Sequence, residues 1–176
     1  MREQNTTQGS MMQDVIAPGT VMGVTLVALS VIFYVANYDG GFMLLANIFA
    51  TGATMVYFTI QYRDKKRDGF ISYGRSLGFG TLMSLVASIL NAIYFVVFVK
   101  LINPDYFDIQ MDKAAQQMLE QGVNEAQIEA GMKMAKLFAT PAFGAMSLIL
   151  SGVFVGVIIA LIVSIFIKRD NYQQNF

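Results

Sequence analysis

Asn47 and Asn91 are side-chain amides set well inside long apolar runs, where a hydrogen-bonding group must find a partner in the protein or a ligand. One use for such an amide is contact with a substrate or an ion. The plainer use is a hydrogen bond between helices that fixes their register. A second group is basic: Arg63, Lys65, Lys66, Arg67, Lys168 and Arg169. These can hold anionic lipid headgroups, or simply mark the side of a membrane on which their loops remain. A third group is acidic. Asp108 and Asp112 share a helical face, with Asp105 just before them. They lack the Asp-x-Asp-x-Asp-Gly spacing of a calcium loop, and a solvated face accounts for them as well.

Much chemistry is excluded by residue type. There is no histidine and no cysteine. That removes His-based triads, thiol nucleophiles, disulfides, the usual zinc sites and haem ligated by His or Cys. No apolar run carries a carboxylate, lysine or arginine near its middle, which counts against a proton-coupled transporter, because a proton needs a residue to sit on. It counts less against a sodium-coupled one, since backbone carbonyls coordinate sodium. The expectation is a protein that is not an enzyme, with no catalytic residue, no cofactor and no metal.

The elements that position these residues follow from the charge pattern. Of 176 residues 55% are hydrophobic and 14% charged, with a net charge of zero that offers nothing to nucleic acid. Residues 15–38, 40–62, 76–99 and 137–167 hold no Asp, Glu, Lys or Arg. Each exceeds the roughly 20 residues that cross a bilayer as a helix. None shows the polar face of a soluble helix or the alternation of a barrel strand. The expected fold is an all-α membrane protein, a four-helix transmembrane bundle with an extracytoplasmic helical insert between helices 3 and 4. A polar cytoplasmic tail at 1–13 precedes a single membrane domain at 14–170. Its spans lie at about 15–36, 42–62, 71–102 and 142–167, its insert at 105–139, and a second cytoplasmic tail at 171–176. The N-terminus has Arg2 as its only basic residue, an apolar run too long for a signal peptide and no small-residue cleavage site after it, so the first span is expected to be retained.

Local signals refine this. Asp14 is placed to cap the first helix, with Pro18 in its first turn. Asp39-Gly40-Gly41 should supply left-handed residues for the first turn. Asn103-Pro104 should end the third span. Asp108 should cap one segment of the insert, with Met111, Ala115, Met118 and Leu119 on one stripe. Asn124, with Gln127 three residues on, should cap a second whose face is Ile128, Met132, Ala135 and Ala139. Tyr34, Tyr38, Tyr57, Tyr62, Tyr73 and Tyr94 should form the interfacial belt in a chain without tryptophan. Thr51, Thr54, Thr59, Ser151 and Ser164 should bond to the carbonyl one turn back. Gly19/Gly23, Gly74/Gly78 and Gly152/Gly156 are GxxxG pairs, extended by Gly80, Ser84 and Ser88 along the third span. They can pack helices within one chain or form a homodimer face. Eight basic residues fall on the tails and second loop against four on the other side, so both termini should be cytoplasmic. The 103–136 segment, with six carboxylates and three lysines, should face outward.

The order of these features resembles the DUF4199 family of uncharacterised bacterial membrane proteins, known mainly from Bacteroidota. The matching pieces are Pro18, Gly19 and Gly23 in the opening span, the Gly69-Phe70-Ile71-Ser72-Tyr73-Gly74 loop, Tyr94, the Asn103-Pro104-Asp105 exit, the helical insert, and the closing Lys168-Arg169. The resemblance implies an inner-membrane location and supplies neither an activity nor functional residues.

Together these readings favour a non-enzymatic accessory or scaffold subunit of an inner-membrane complex, in contact with the lipid bilayer and with a membrane-protein partner or a second copy. One alternative is a small transporter, flippase or channel working as a homo-oligomer along a polar path through Asn47 and Asn91. Another is an accessory to a membrane glycosyltransferase.

Overall fold

A computed structural model describes residues 11–38 and 40–169. Residues 1–10 of the tail expected at 1–13, the tail expected at 171–176, Arg2 and the turn position Asp39 lie outside the described residues, whereas residues 11–13 belong to the first helix rather than to a tail. The chain runs through α1 (Met11–Val35), α2 (Phe42–Lys66), α3 (Tyr73–Val97), a π-helical turn (Phe98–Ile102), α4 (Tyr106–Glu120), α5 (Glu125–Phe138) and α6 (Pro141–Ile167). The expectation of an all-helical chain holds. Among the described residues four helical segments are long and apolar enough to cross a membrane: α1, α2, α3 with its π turn, and α6. A helix of 25 residues, the length of α1 to α3, reaches about 37 Å against a hydrocarbon thickness of about 30 Å.

The chain gathers into two compact units. One comprises the described residues up to Asn91 together with those from Leu150, and the other is Ala92–Ile149. In the first unit α3 is the common partner of α1, α2 and α6. Small residues explain why. A Cβ on Gly19 of α1 would stand 2.6 Å from Val86 Cβ, and one on Gly23 would stand 3.1 Å from the Ala87 Cα. On the α6 side, Gly152 and Gly156 lie directly against the side chains of Ser88 and Ser84. Gly80 faces Ala160 and the sulfur of Met55. Where lipid tails are as apolar as leucine, helices associate through such close van der Waals contact rather than by escaping water. The core between them is Val15, Met22, Met55, Tyr62, Phe79, Met83, Ala87, Ala160 and Val163.

Two helix ends share one geometry. After α1 the Tyr38 N–H donates to Phe33 O at 3.0 Å and the Asn37 N–H to Tyr34 O at 3.1 Å. Asn37 is left-handed at φ +50°, and the Phe33 and Tyr38 rings close the motif at 5.8 Å. This corrects the expectation for the first turn. Gly41 has φ −58°, and Asn37 does the turning because the helix spends its own last carbonyls before the loop begins. After α4, Gly122 at φ +80° plays the same part, with Val123 N–H on Met118 O at 3.0 Å.

Other expectations shift by a few residues. Asp14 lies in the first turn of α1 rather than before it, and Pro18 is inside the helix. The third span was expected from 71, but α3 begins at Tyr73, because Ile71 pairs in an isolated antiparallel bridge with Arg169. Its far end widens into the π turn, closed by Asn103 N–H on Phe98 O at 2.8 Å. Pro104 keeps Asn103 out of the helical region, at φ −137°, ψ 79°.

In the second unit α4 and α5 pack through Met111, Ala115 and Met132, with Ile128 buried. Asn124 caps α5 by accepting the Ala126 N–H at 2.8 Å. For α4 the cap position is Asp105, and Asp108 falls within the first turn, because Pro104 already starts the turn one residue earlier. Thr140 Oγ1 accepts the Phe143 N–H at 3.3 Å, with Pro141 opening α6 at the one position where its missing N–H costs nothing. Phe95, Phe98, Tyr106 and Phe107 form an edge-to-face cluster with centroids 5.5–6.1 Å apart. Burial there pushes the Tyr106 phenol pKa up from its ordinary value.

Candidate functional site

The groups with capacity to bind collect at one end of the first unit, where α1 and α3 begin and α2 and α6 finish. Each junction has a named bond. Lys66 Nζ lies 3.3 Å from Asp14 Oδ1, tying α2 to α1. Arg63, its side chain 18% exposed, holds Asp64 through Nε at 2.7 Å. Its Nη1 donates to Ile167 O at 3.3 Å, one of the carbonyls that the end of α6 leaves without a helical donor. The Ile71–Arg169 bridge joins the α2–α3 loop to the same helix end, with bonds of 3.0 and 2.9 Å. The Arg169 guanidinium sits 5.9 Å from the Phe70 centroid.

Tyr62 carries the next layer. It was expected in an interfacial belt, but it is 5% exposed and stacks on Phe79 at 4.3 Å with 16° between the rings. Its position on the inner face of α2, one turn after Thr59 and two after Met55, overrides its preference for an interface. Arg67 donates to the Tyr62 hydroxyl at 3.2 and 3.1 Å and lies 5.6 Å from that ring's centroid. Arg63 and Arg67 are therefore held by the protein itself, whereas Lys65, Arg75 and Lys168 are exposed.

Beside this layer a cleft of about 200 Å³ opens between α1 and α2. Ala17, Pro18, Phe58 and Phe79 form its apolar walls, and Gln61, Lys65 and Lys66 its polar mouth. The space exists because Ala17 and Pro18 are short where Phe58 faces them. Pro18 has no N–H, so the Asp14 carbonyl also lacks its usual helical donor at that wall.

The intramembrane amides lie elsewhere. Asn47 Nδ2 donates to Met43 O at 2.8 Å, within its own helix. Asn91 Nδ2 donates to Ala87 O at 2.9 Å and reaches Gly23 O on α1 at 3.4 Å. Of the glycine pairs, Gly19/Gly23 and Gly152/Gly156 sit in close helix contacts, whereas among the described residues nothing lies within 4 Å of a Cβ at Gly74 and only the Met11 sulfur, at 3.7 Å, near one at Gly78. Thr51 and Thr54 bond back one turn as expected, at 2.8 and 2.6 Å. Thr59 does not: its buried hydroxyl has no partner among the described residues. Ser164 instead donates across to Ser76 at 3.0 Å, both buried. Ser76 went unmarked in the sequence, although it stands four residues before Gly80 on the same small-residue row, and that spacing was the available signal.

Three acidic residues of the second unit line a cavity of about 290 Å³ between α4 and α5, and Asp105 is not among them. Asp108, Asp112 and Glu129 share it with Lys133 and Lys136, and Glu129 pairs with Lys133 at 2.9 Å. Among the described residues no group of three His, Cys, Asp or Glu is placed to hold a metal ion.

A family model described as "Protein of unknown function (DUF4199)" matches residues 18–169. No curated protein and no solved structure matches the chain.

Proposed function

The chain belongs to the DUF4199 family, whose function is unknown, and from that premise we propose that it is a multi-pass accessory or scaffold subunit of a bacterial cytoplasmic-membrane complex that catalyses no reaction itself. In this reading the four long apolar segments cross the bilayer as a bundle, with both termini and the 63–67 loop on the cytoplasmic side and α4 and α5 outside.

The observation that carries it is the outward display of large apolar side chains. Phe166 is 81% exposed, Phe49 78% and Phe154 68%. Water would penalise so continuous an apolar surface, whereas lipid or a partner's helices would cover it without cost. The gathering of Arg63, Lys65, Lys66, Arg67 and Arg169 at one end supports the orientation. The amides Asn47 and Asn91, engaged with helix carbonyls, support a structural role over a conducting one.

The absence of cysteine makes the topology cleanly testable. Single cysteines placed at Arg67 and at Gln121 should react differently with a membrane-impermeant maleimide in intact cells. Gln121→Cys should label directly and Arg67→Cys only after lysis; the reverse pattern would invert the orientation. Gentle detergent extraction followed by mass analysis tests the subunit role. A stoichiometric membrane-protein partner supports it. A clean homo-oligomer without partner would overturn it in favour of a transporter or channel.

A further inference from the structure

We propose that the cleft between α1 and α2 is a binding site for one anionic phospholipid, its headgroup phosphate held at Lys65, Gln61 and Lys66 and an acyl chain lying against Phe58, Ala17 and Pro18. The inference rests on the membrane placement proposed above. It does not depend on the subunit role.

Charge is the first argument. Of the basic residues on this stretch, Arg63 is engaged by Asp64 and the α6 carboxyl-terminal carbonyl, and Arg67 by Tyr62. Lys66 is matched by Asp14. Lys65 lines the cleft and has no ion-pair partner among the described residues. Among the described residues the mouth holds two lysines and one aspartate, a balance of one positive charge. A phosphate diester carries the complementary charge.

Hydrogen bonding is the second argument. The half-buried Gln61 amide makes no side-chain hydrogen bond among the described residues. It lies one turn before Lys65 on α2, so its N–H groups and the Lys65 ammonium converge on the same opening. At the polar mouth that amide is free to donate, and a phosphate oxygen would accept its N–H groups.

Shape supplies the third. Phe58, Gln61 and Lys65 are spaced three and four residues apart and form one stripe, apolar at depth and cationic at the rim. Opposite them the short side chains of Ala17 and Pro18 leave the room. A free phosphate would use only the rim. A lipid uses both, which is why the occupant is a phospholipid. Lysine is suited to this place because its apolar stem lies along the wall while its ammonium reaches the headgroup layer.

The test uses the full chain, purified in mild detergent and stripped of lipid, with native mass spectrometry counting bound phosphatidylglycerol. The expected result is a single tight site that prefers phosphatidylglycerol to phosphatidylcholine. Lys65→Gln should weaken it about fivefold, the change for one cationic side chain near an anionic surface. Lys168→Gln removes a charge outside the cleft and should leave affinity unchanged. Ala17→Leu should weaken binding by filling the apolar wall without touching charge. If that variant misfolds, Gln61→Leu serves, and it should weaken binding through the lost donor. Equal losses from Lys65→Gln and Lys168→Gln would overturn the proposal in favour of diffuse charge attraction. Competition by inorganic phosphate as strong as by phosphatidylglycerol would overturn it in favour of a free-anion site. Recovery of the chain in the soluble fraction would instead refute the membrane placement, so the two failures are told apart before any lipid is added.

Discussion

Gly19→Ala and Gly74→Ala change the same residue type in the same GxxxG context, yet the structure assigns them different consequences. A methyl group at Gly19 would stand 2.6 Å from Val86 Cβ, 2.9 Å from its Cγ1 and 3.1 Å from Met83 O. Ordinary carbon contacts lie at about 3.5–4.0 Å, so the shortfall is about 1 Å. Val86 Cβ is fixed to the backbone, and a β-branched residue in a helix has almost one rotamer, so the side chain cannot swing clear. α1 and α3 must separate, at the cost of roughly 1–3 kcal/mol typical of overpacking. At Gly74 no atom of the described residues stands within 4 Å of the added methyl. Both substitutions share the gain of about 1 kcal/mol from replacing helical glycine with alanine. That gain cancels in the comparison, leaving Gly19→Ala about 1–3 kcal/mol less stable than Gly74→Ala. Thermal inactivation of the detergent-solubilised protein, followed by size-exclusion, reads the difference as separated midpoints with Gly74→Ala at or above the parent. Equal midpoints, or Gly74→Ala as the less stable variant, would refute the reasoning that α1 docks on α3 through Gly19. A loss of self-association by Gly74→Ala would show that pair at work between copies instead.

Asn91→Leu should destabilise by about 0.6 kcal/mol, the usual worth of an interhelical polar contact in a membrane, whereas Asn47→Leu gives up only a bond to its own helix and should be neutral or stabilising; midpoints in the same assay check both signs. Arg63→Lys loses the fork that reaches Asp64 and Ile167 O together, so backbone amides at 165–169 should exchange faster with deuterium while those of α4 do not change. Tyr106 has its phenol pKa raised by burial, so its contribution to stability is complete below the unfolded tyrosine value of about 10 and is lost as pH rises through the folded value. Subtracting the ultraviolet phenolate titration of Tyr106→Phe from that of the parent should leave one group with a midpoint above the ordinary tyrosine; a midpoint at or below it would remove the desolvation argument.

The helical class and the stretches long enough to cross a membrane are consequences of sequence alone. Runs such as 76–99 and 137–167 lack any charge, and an apolar run of that length has one way to satisfy its backbone in lipid. Pro104 and Asn124 likewise act through their immediate neighbours, so the end of the third span and the cap of α5 could be read locally. What depended on tertiary structure was partnership. Identical spacing left Gly74 without a neighbour among the described residues and put Gly156 against Ser84, because spacing describes one helix and contact needs two. Tyr62 left the expected belt to stack on Phe79, Ile71 left the helix to pair with Arg169, and Ser164 left its own backbone for Ser76. The cleft beside Tyr62 arises where short residues on α1 meet Phe58 on α2, a juxtaposition of positions some 40 residues apart that no local pattern encodes. Periodicity and charge act within a segment and so determined the elements, whereas packing compares side-chain volumes across segments and so was decided only when the helices met.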